Sequence, residues 1–442
     1  MQKSLSRLKS GLCFLLVFGL FVLIPMTVGY GSDTSSNRCE ILEWKGKNVY
    51  IKKTPSHFQV EINYNCGLSP RQMGEEYATG ILHLLPSYEQ ILDSYLAYFI
   101  GKEKSTFLFL LDRTNGIKNQ IPREYRDEIE GFASRLSGAN RDQVGDGHLS
   151  LNELYVVNTL GDVLRLNQCS AVSVFGARSA TGHTITGRNF DWIEGGEGQI
   201  HQIQAIIIYK NGVQSICSIG YAGLFGVVTA FNQYGVFGAT LDSPTGVDYS
   251  SSVGKHSYDM DLRYALEHNY NIPGVANYLV DTSKSYTFNH LIFLSDSFQS
   301  QVLENNFSGT GSNMHRALRN EYSTLNPGIP WGIENSVAAV NAFMLWGNHD
   351  NFTNVPSNTM RWNSMITLLN SAGKRVSREE MKKIMGFHAG DEPEDGDLYR
   401  KGSTSQIIVF EPFNHHLEVY FHPKNGEPTG VPNFETIPVC FD

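Results

Sequence analysis

The sequence predicts a layered α+β fold in which a helical N-terminal segment precedes a half that is rich in strands. Residues from about 70 to 168 are predicted to be mostly helical, because apolar residues recur at helical spacing, as in Tyr125, Ile129 and Phe132. From Cys169 onward, short runs of β-branched residues alternate with glycine-containing turns, which is the pattern of strands. Each sheet and each helix buries its apolar face against another layer, so the two patterns together predict layers of both kinds.

The individual elements follow in chain order. Spaced apolar residues predict helices within Met73 to Ile100 and again from Glu124. Helical pattern returns in the C-terminal half, where Ser377 and Glu380 have the spacing of a capping box at a helix start. The stretch Gln406 to Phe421 is strand-like. No internal repeat is present.

Composition and charge exclude several classes of protein. The chain has 442 residues, of which 41% are hydrophobic and 18% charged, so it is not a disordered, collagenous or coiled-coil protein. Against 35 Lys and Arg stand 44 Asp and Glu, giving a net charge of −9. Affinity for phosphate backbones comes mainly from clustered cations, so we expect no nucleic-acid partner.

Residues 1–30 have the pattern of a signal peptide. A positive head with Lys3, Arg7 and Lys9 precedes an apolar run from Gly11 to Val28 that is broken only by Pro25. The alternative is an uncleaved membrane anchor, since the run is near the lower length limit for a spanning helix. The proline and the polar stretch after the run favour cleavage. We therefore expect a secreted or lysosomal protein, or a periplasmic or extracellular one in a bacterium.

Two patterns bear on metal binding. Segment 142–153 matches five positions of a calcium-binding EF-hand loop, but Val144 stands where an Asp or Asn ligand is expected. A loop leading into a helix near Leu151 is the simpler interpretation. Several histidines show no ligand spacing with Cys, Asp or Glu: His183, His349, His388, His415 and His416. We expect no metal and no cofactor.

The most informative stretch is predicted to be a β-hairpin. One strand begins at Cys169, a turn lies around Ser179 to Gly182, and the return strand ends at Arg188 and Asp191. Such a hairpin brings a guanidinium and a carboxylate beside a thiol, and a nearby cation favours the reactive thiolate. On spacing alone, a buried structural cysteine with an ordinary ion pair is the commoner situation.

The segment from Gln168 to Trp192, with Gly187-Arg-Asn-Phe-Asp191 at its end, resembles the start of the catalytic chain in N-terminal-nucleophile cysteine hydrolases. These include acid ceramidase, N-acylethanolamine acid amidase, isopenicillin acyltransferase and choloylglycine hydrolase. Asn232 lies in a stretch that resembles the family's Asn-x-x-Gly strand. Asn348, with Arg361 thirteen residues later, resembles a further family segment, although Gly347 stands where Thr is usual. The resemblance runs from about residue 120 to 421.

The resemblance implies a four-layer αββα sandwich and a precursor that cuts itself between Gln168 and Cys169. The signal peptide (1–30) would be followed by a helical α chain (31–168) and a catalytic β chain (169–442). Cys169 would then begin the β chain, and its own α-amine, with a pKa of about 7.7–8.0, would take the thiol proton. These two chains would remain partners.

The resemblance also assigns roles to five other residues. Arg188 would hold the thiolate and the substrate carbonyl, and Asp191 would orient the α-amine. Asn232 and Asn348 would donate hydrogen bonds to the oxyanion, and Arg361 would support the charge at the site.

The implied function is hydrolysis of a linear N-acyl amide, a lipid or an acyl-amine, through a thioester. Acyl transfer, or a phospholipase B-like reaction on the same nucleophile, is an alternative, although the Gly-Arg-Asn-Phe-Asp motif argues against the phospholipase branch. A third alternative is a non-catalytic secreted binding protein, but the presence of all the site residues argues against it. The apolar stretch Tyr221 to Phe225 is a candidate wall of the substrate pocket.

The remaining cysteines and two glycosylation sequons are candidates for the disulfide bonds and glycans of an exported protein. Cys13 leaves with the signal peptide, and once Cys169 is assigned to catalysis, four cysteines remain: Cys39, Cys66, Cys217 and Cys440. They permit three pairings, and a link from Cys39 or Cys66 to Cys440 would join the two chains. Asn306 and Asn351 lie in glycosylation sequons.

Overall fold

The computed structural model describes residues 42–101, 103–165, 168–212, 214–244, 251–306, 316–348, 352–424 and 432–441. The predicted signal peptide, Cys39 and Asn351 lie outside these ranges, as does the side chain of Cys66. None of the described helices has the length and apolar character needed to cross a bilayer.

The described residues contain sixteen strands and ten helices. The strands are β1 (Leu42–Lys45), β2 (Val49–Lys53), β3 (Phe58–Asn63), β4 (Gln168–Val174), β5 (Ile185–Asp191), β6 (Gln204–Lys210), β7 (Ile216–Tyr221), β8 (Thr229–Asn232), β9 (Phe237–Asp242), β10 (His290–Ser295), β11 (Ser300–Asn305), β12 (Arg316–Arg319), β13 (Ser336–Ala339), β14 (Thr404–Glu411), β15 (His416–Phe421) and β16 (Glu435–Ile437). The helices are α1 (Pro70–Leu84), α2 (Tyr88–Ile100), α3 (Lys104–Lys118), α4 (Arg123–Ala133), α5 (Leu151–Asn158), α6 (Leu160–Val163), α7 (Tyr258–His268), α8 (Ile272–Leu279), α9 (Pro356–Ser371) and α10 (Arg378–Met385).

The strands form two sheets. The larger sheet has the order β1-β2-β3-β6-β7-β8-β9-β10-β11-β12, and the smaller has the order β13-β4-β5-β14-β15-β16. Neighbouring strands are antiparallel except β3 and β6, which run parallel and join the N-terminal strands to the rest of the large sheet. Parallel neighbours need a long crossover between them, and the chain from α1 to β5 supplies it.

Within the segment predicted to be helical over 31–168, the described residues form helices from α1 to α6. Residues 42–63 instead form β1, β2 and β3. In β3, Phe58, Val60 and Ile62 are buried and alternate with partly exposed neighbours, which is the two-residue period of a half-buried strand. Helix α5 begins at Leu151 after Ser150, which forms a capping box with Glu153. This helix start agrees with the simpler interpretation of segment 142–153.

The layers follow the predicted order. Gly187 of β5 faces α10, and a Cβ built on it would lie 2.5 Å from Met385 Cγ, so only glycine fits there. On the other side of β5, Thr186 Oγ1 donates to Ser295 Oγ of β10 at 2.9 Å, which joins the inner faces of the two sheets. The outer face of the large sheet packs on α7, because a Cβ on Gly238 would lie 2.9 Å from Leu262 Cδ1. The αββα sandwich is therefore confirmed.

Candidate active site

The predicted hairpin is present as β4 and β5. In its register Cys169 lies opposite Phe190, and Ala171 lies opposite Arg188. β5 is in turn paired with β14, which places Thr404 opposite Asp191. The start of β4 thus meets the end of β5 and the start of β14, and it is here that the thiol, the guanidinium and the carboxylate come together.

Arg188 is fully buried beside the thiol. Its Nη2 lies 3.7 Å from Cys169 Sγ and donates to the Thr240 carbonyl of β9 at 2.7 Å. Its guanidinium also lies 4.8 Å from the centre of the Phe190 ring. The Nε and Nη1 atoms are buried and have no hydrogen-bond partner among the described residues. A buried cation with unused donors is stabilised by any ligand that brings a carbonyl or an anion to it.

Cys169 is a thiol rather than a thiolate in the uncut chain. Burial is the largest effect on its pKa and raises it to about 11. Arg188 and Arg361 oppose this by lowering the pKa, as does a hydrogen bond from the Asp191 backbone N–H, whereas the Asp191 carboxylate raises it. The nearby cations therefore do not suffice to ionise the sulfur, and a reaction at Cys169 needs a base.

Asp191 is buried next to the start of β4. Its Oδ1 accepts a hydrogen bond from Thr404 Oγ1 at 2.6 Å. Burial raises its pKa to about 6, while the Thr404 hydrogen bond and then Arg361 lower it. Its Oδ2 is buried and has no hydrogen-bond partner among the described residues. Asp191 pairs in register with Gln168, the residue that precedes Cys169.

Two side chains from outside the hairpin hold the backbone of Cys169. Asn341 Oδ1 accepts from the Cys169 N–H at 2.7 Å, and Arg361 Nη1 donates to the Cys169 carbonyl at 2.6 Å. Arg361 Nη2 also reaches Asn341 Oδ1 at 3.1 Å and Asn358 Oδ1 at 2.9 Å. Asn341 Nδ2 donates to the Asp242 carbonyl at 2.7 Å, which ties this group to β9. The position of Cys169 is therefore fixed on both sides of its Cα.

The segment before the predicted cleavage point is anchored at both ends. Arg165 donates to the Ser243 carbonyl at 3.0 Å, and its Nε lies 3.9 Å from Asp242 Oδ1. Gln168 is exposed, and its side-chain oxygen accepts a hydrogen bond from Arg400. The bond between Gln168 and Cys169 thus joins an exposed residue to a fully buried one.

The six predicted catalytic residues are not equally placed with respect to the thiol. Arg188, Asp191 and Arg361 surround Cys169, whereas Asn232 does not. Asn232 Nδ2 donates to the carbonyls of Leu266 and Asn269 at 3.1 and 2.8 Å, at the end of α7. Its Oδ1 accepts from two backbone N–H groups in the turn between β8 and β9. Its amide thus holds a turn together, and the geometry does not support an oxyanion role.

The side chain of Asn348 is likewise hydrogen-bonded to residues other than those around the thiol. Its Nδ2 donates to Glu304 Oε2 at 2.9 Å, and its Oδ1 accepts from Asn306 Nδ2 at 2.8 Å. Asn306 is itself fully buried, and its Oδ1 accepts from Asn289 Nδ2 at 3.1 Å. A glycan on the Asn306 nitrogen would have to replace a buried hydrogen bond, so this fold does not support glycosylation there. The sequon is the one feature of the sequence that indicates glycosylation at Asn306.

Sequence reasoning missed Asn341, Asn358 and Thr404. Asn358 precedes Arg361 by three residues in α9, and this spacing places both on one helix face, so it was a usable signal. Asn341 and Thr404 are brought in by elements far along the chain, after β13 and at the start of β14. Nothing local in the sequence distinguishes them from other Asn and Thr residues.

A narrow apolar cavity of about 50 Å³ lies beside the site. Phe190, opposite Cys169, and Tyr221 line it, and burial raises the pKa of the Tyr221 phenol. The predicted wall at Tyr221 to Phe225 contributes its first four residues. The apolar lining comes from both parts of the chain: Leu92, Val157, Leu160, Phe190, Trp192, Ile200, Ile203, Tyr221, Ala222, Leu224 and Val228.

The other two cysteines with described side chains, Cys217 and Cys440, form no disulfide with a described residue. Cys217 is buried in β7, where burial strongly raises its pKa, and Cys440 is exposed. The proposed partners of Cys440 lie outside the described side chains, so the predicted disulfide stays a prediction.

No family model and no curated protein matches this chain. Solved structures with similar folds include the Caenorhabditis elegans ortholog of N-acylethanolamine-hydrolyzing acid amidase, at 12% identity and a TM-score of 0.42, covering 61% of this chain and 100% of that one. A mutant of conjugated bile acid hydrolase from Clostridium perfringens has 11% identity and a TM-score of 0.37, covering 62% and 97%. Penicillin V acylase from Agrobacterium tumefaciens has 12% identity and a TM-score of 0.38, covering 61% and 86%. The site described above rests on this chain's own geometry.

Proposed function

We propose that this chain is the exported precursor of an N-terminal-cysteine amidohydrolase that cleaves linear N-acyl amides with an apolar acyl group. The observation that carries the proposal is the setting of Cys169. Its thiol lies beside the buried guanidinium of Arg188, its N–H is held by Asn341, and the buried Oδ2 of Asp191 is unused in the uncut chain. A new α-amine at Cys169 would give that oxygen a donor.

Self-cleavage accounts for this arrangement. The Cys169 thiol attacks the Gln168 carbonyl, the C–N bond breaks, and the sulfur proton passes to the released α-amine. Water then hydrolyses the thioester, which leaves a carboxylate at Gln168 and restores the thiol. The α-amine, which Asp191 and Asn341 hold in place, becomes the base that a thiol with a pKa of about 11 needs.

The same residues support turnover of an amide. The α-amine takes the thiol proton, the sulfur attacks the substrate carbonyl, and the negative charge develops on the carbonyl oxygen. The two unpartnered donors of Arg188 are the groups best placed to stabilise that charge, in place of Asn232 and Asn348. The amine product leaves with the proton, and water hydrolyses the thioester to release the acid.

The apolar cavity supports an acyl group as the part of the substrate that is recognised. It begins next to the partner of Cys169 in the hairpin, and its walls include Leu92, Val157 and Leu160 from the α2, α5 and α6 helices. Burial of methylenes there contributes about 0.8 kcal/mol each. The segment before Gln168 thus contributes to substrate binding, which gives the two chains a reason to stay together after cleavage.

The proposal is tested by N-terminal sequencing and intact mass of the purified protein, its Cys169→Ala variant and a Cys217→Ala control. Cys217 is also a buried thiol in a strand, but it lies in β7 and has no part in the mechanism. We expect a 274-residue chain (442 − 168) beginning at Cys169 in the wild type and the control. We expect an uncut chain without amidase activity in Cys169→Ala. Cleavage or activity that survives in Cys169→Ala would refute the proposal.

A further inference from the structure

We propose that Glu194, His201 and His422 form a binding site for one divalent transition-metal ion of the Zn²⁺ type. One ligand atom from each of these residues lies within 4.8 Å of the other two, which makes them a group that could hold an ion among the described residues. The site is distinct from the thiol and does not depend on the proposed function.

Three separate segments supply the ligands. Glu194 follows the end of β5 by three residues, His201 lies in a 3-10 turn over Gln199–Ile203, and His422 is the first residue after β15. Both histidines are 3% exposed, whereas the Glu194 side chain is 34% exposed. An ion can therefore enter past the carboxylate and meet two imidazoles fixed in the interior.

One pair of ligand atoms already has the spacing that a small ion needs. His201 Nδ1 lies 3.5 Å from Glu194 Oε2. Two ligands of a tetrahedral Zn²⁺ with bonds of about 2.0–2.1 Å lie about 3.3–3.4 Å apart, so this pair needs almost no movement. The rings of His201 and His422 are stacked with centroids 4.0 Å apart and planes 25° apart, and their ligand nitrogens lie within 4.8 Å of each other.

An outer hydrogen bond selects the tautomer of His422 that ligation needs, and a second is compatible with the required tautomer of His201. His422 Nδ1 lies 2.9 Å from the Pro423 carbonyl, which can only accept, so this nitrogen carries the proton and Nε2 is the ligand. His201 Nε2 lies 3.1 Å from Ser405 Oγ, and a proton on Nε2 leaves the Nδ1 lone pair directed towards Glu194. Histidine ligands are usually oriented by such a second hydrogen bond.

The donor set indicates the class of ion. Two imidazoles and one carboxylate favour Zn²⁺ and its neighbours over Ca²⁺ or Mg²⁺, which prefer oxygen ligands. Three protein ligands leave a position for water. A bound ion would tie the end of β5 to the end of β15. We therefore expect it to raise the thermal midpoint of the protein.

The test is a titration of the full chain, stripped with a chelator and dialysed, with Zn²⁺ by calorimetry and with Co²⁺ by visible absorption. The variants are Glu194→Gln and His422→Gln, and the control is His83→Ala, which removes an exposed histidine from the end of α1. All are also made on a Cys169→Ala background, so that binding by the thiol cannot account for the signal.

We expect one ion per chain, a higher thermal midpoint with Zn²⁺, and affinity about 10-fold or more weaker in each ligand variant. The control should match the wild type, and binding should persist on the Cys169→Ala background. If the stripped wild type takes up no stoichiometric ion, or if Glu194→Gln, whose side chain is partly exposed, binds as tightly as His83→Ala, the proposal is wrong.

Discussion

Replacing Thr404 by Val should move the acid limb of the activity profile to higher pH. The Thr404 hydroxyl donates to Asp191 Oδ1 at 2.6 Å, and the reaction needs Asp191 as a carboxylate. Removing that donor disfavours the charged form, so the pKa of Asp191 rises. A hydrogen bond to a charged group contributes about 1.5–3 kcal/mol, which corresponds to about 1–2 pKa units.

The size of the fall in kcat/KM at a fixed pH follows from the pKa of Asp191 before the substitution. The pKa of Asp191 is about 6 in the uncut chain, and if the cleaved enzyme keeps that value, about half of the carboxyl groups are ionised at pH 6. A rise of about 1–2 units would leave about one in ten to one in a hundred ionised, and kcat/KM at pH 6 should fall about 5- to 50-fold. Well above pH 8 the same variant should be within about twofold of the wild type.

The assay is kcat/KM for a fluorogenic N-acyl amide between pH 4.5 and pH 9, normalised to the concentration of active thiol. Thr404 Oγ1 also accepts from the Arg400 N–H at 2.8 Å, so the Val variant should lose about 1–3 kcal/mol of unfolding free energy, which thermal unfolding monitors. Thr404→Ser keeps the hydroxyl and is the matched control. An acid limb in Thr404→Val that coincides with that of the wild type would refute the role given to Asp191.

Three further predictions concern the site and its surroundings. Asn341→Ala should slow self-cleavage about 100-fold or more, whereas Asn348→Ala should cleave at the wild-type rate and lose only about 1–3 kcal/mol of unfolding free energy. Cleavage is followed by gel electrophoresis, and equal cleavage rates in the two variants would contradict the role given to Asn341. Val157→Phe narrows the cavity, so it should lower kcat/KM about 10-fold or more for an amide with a long acyl chain but not for an acetyl amide. An equal fall in kcat/KM for the two substrates would exclude the cavity as the acyl site. In the uncut Asn341→Ala chain at pH 7.5, iodoacetamide should leave Cys169 almost unlabelled, since a pKa of about 11 leaves about 0.03% thiolate, whereas the same chain unfolded in denaturant should be labelled there. Mass spectrometry of the peptides checks this, and rapid labelling of Cys169 in the folded chain would contradict it.

The part of the site that is local in sequence could be predicted. The β4–β5 hairpin and the proximity of Arg188 and Asp191 to Cys169 follow from a short two-strand pattern with one turn. The capping box at Ser377 is also local, and Glu380 occupies its predicted position. The alternation of sheets and helices sufficed for the fold class, because it depends on the period of apolar residues rather than on particular contacts.

The part of the site that depends on distant segments could not be predicted from the sequence. Asn341 and Thr404 reach the site because β13 and β14 flank the hairpin in the small sheet, and their sequence separation from Cys169 exceeds 170 residues. Conversely, Asn232 satisfies a family motif but donates its amide hydrogens to the end of α7. Whether an amide faces a reaction centre or a helix end depends on tertiary packing, which motif spacing does not encode.

Two further features of the structure could not be predicted, again because the sequence pattern near them is weak or absent. The strands β1 to β3 are only four to six residues long, and short alternation is easily outweighed by the strong helical pattern that follows. The histidine pair His201 and His422 is separated by 221 positions (422 − 201), so no ligand spacing in the sequence could indicate it.

The most direct test of the central claim is to locate the acyl group during turnover. The protein is mixed briefly with a slowly hydrolysed N-acyl amide, quenched in acid, and measured by intact mass and peptide mapping. We predict one acyl group on the chain that begins at Cys169, attached to that residue and released by hydroxylamine. An acyl group on any other residue, or turnover by a chain still joined at Gln168, would contradict the account.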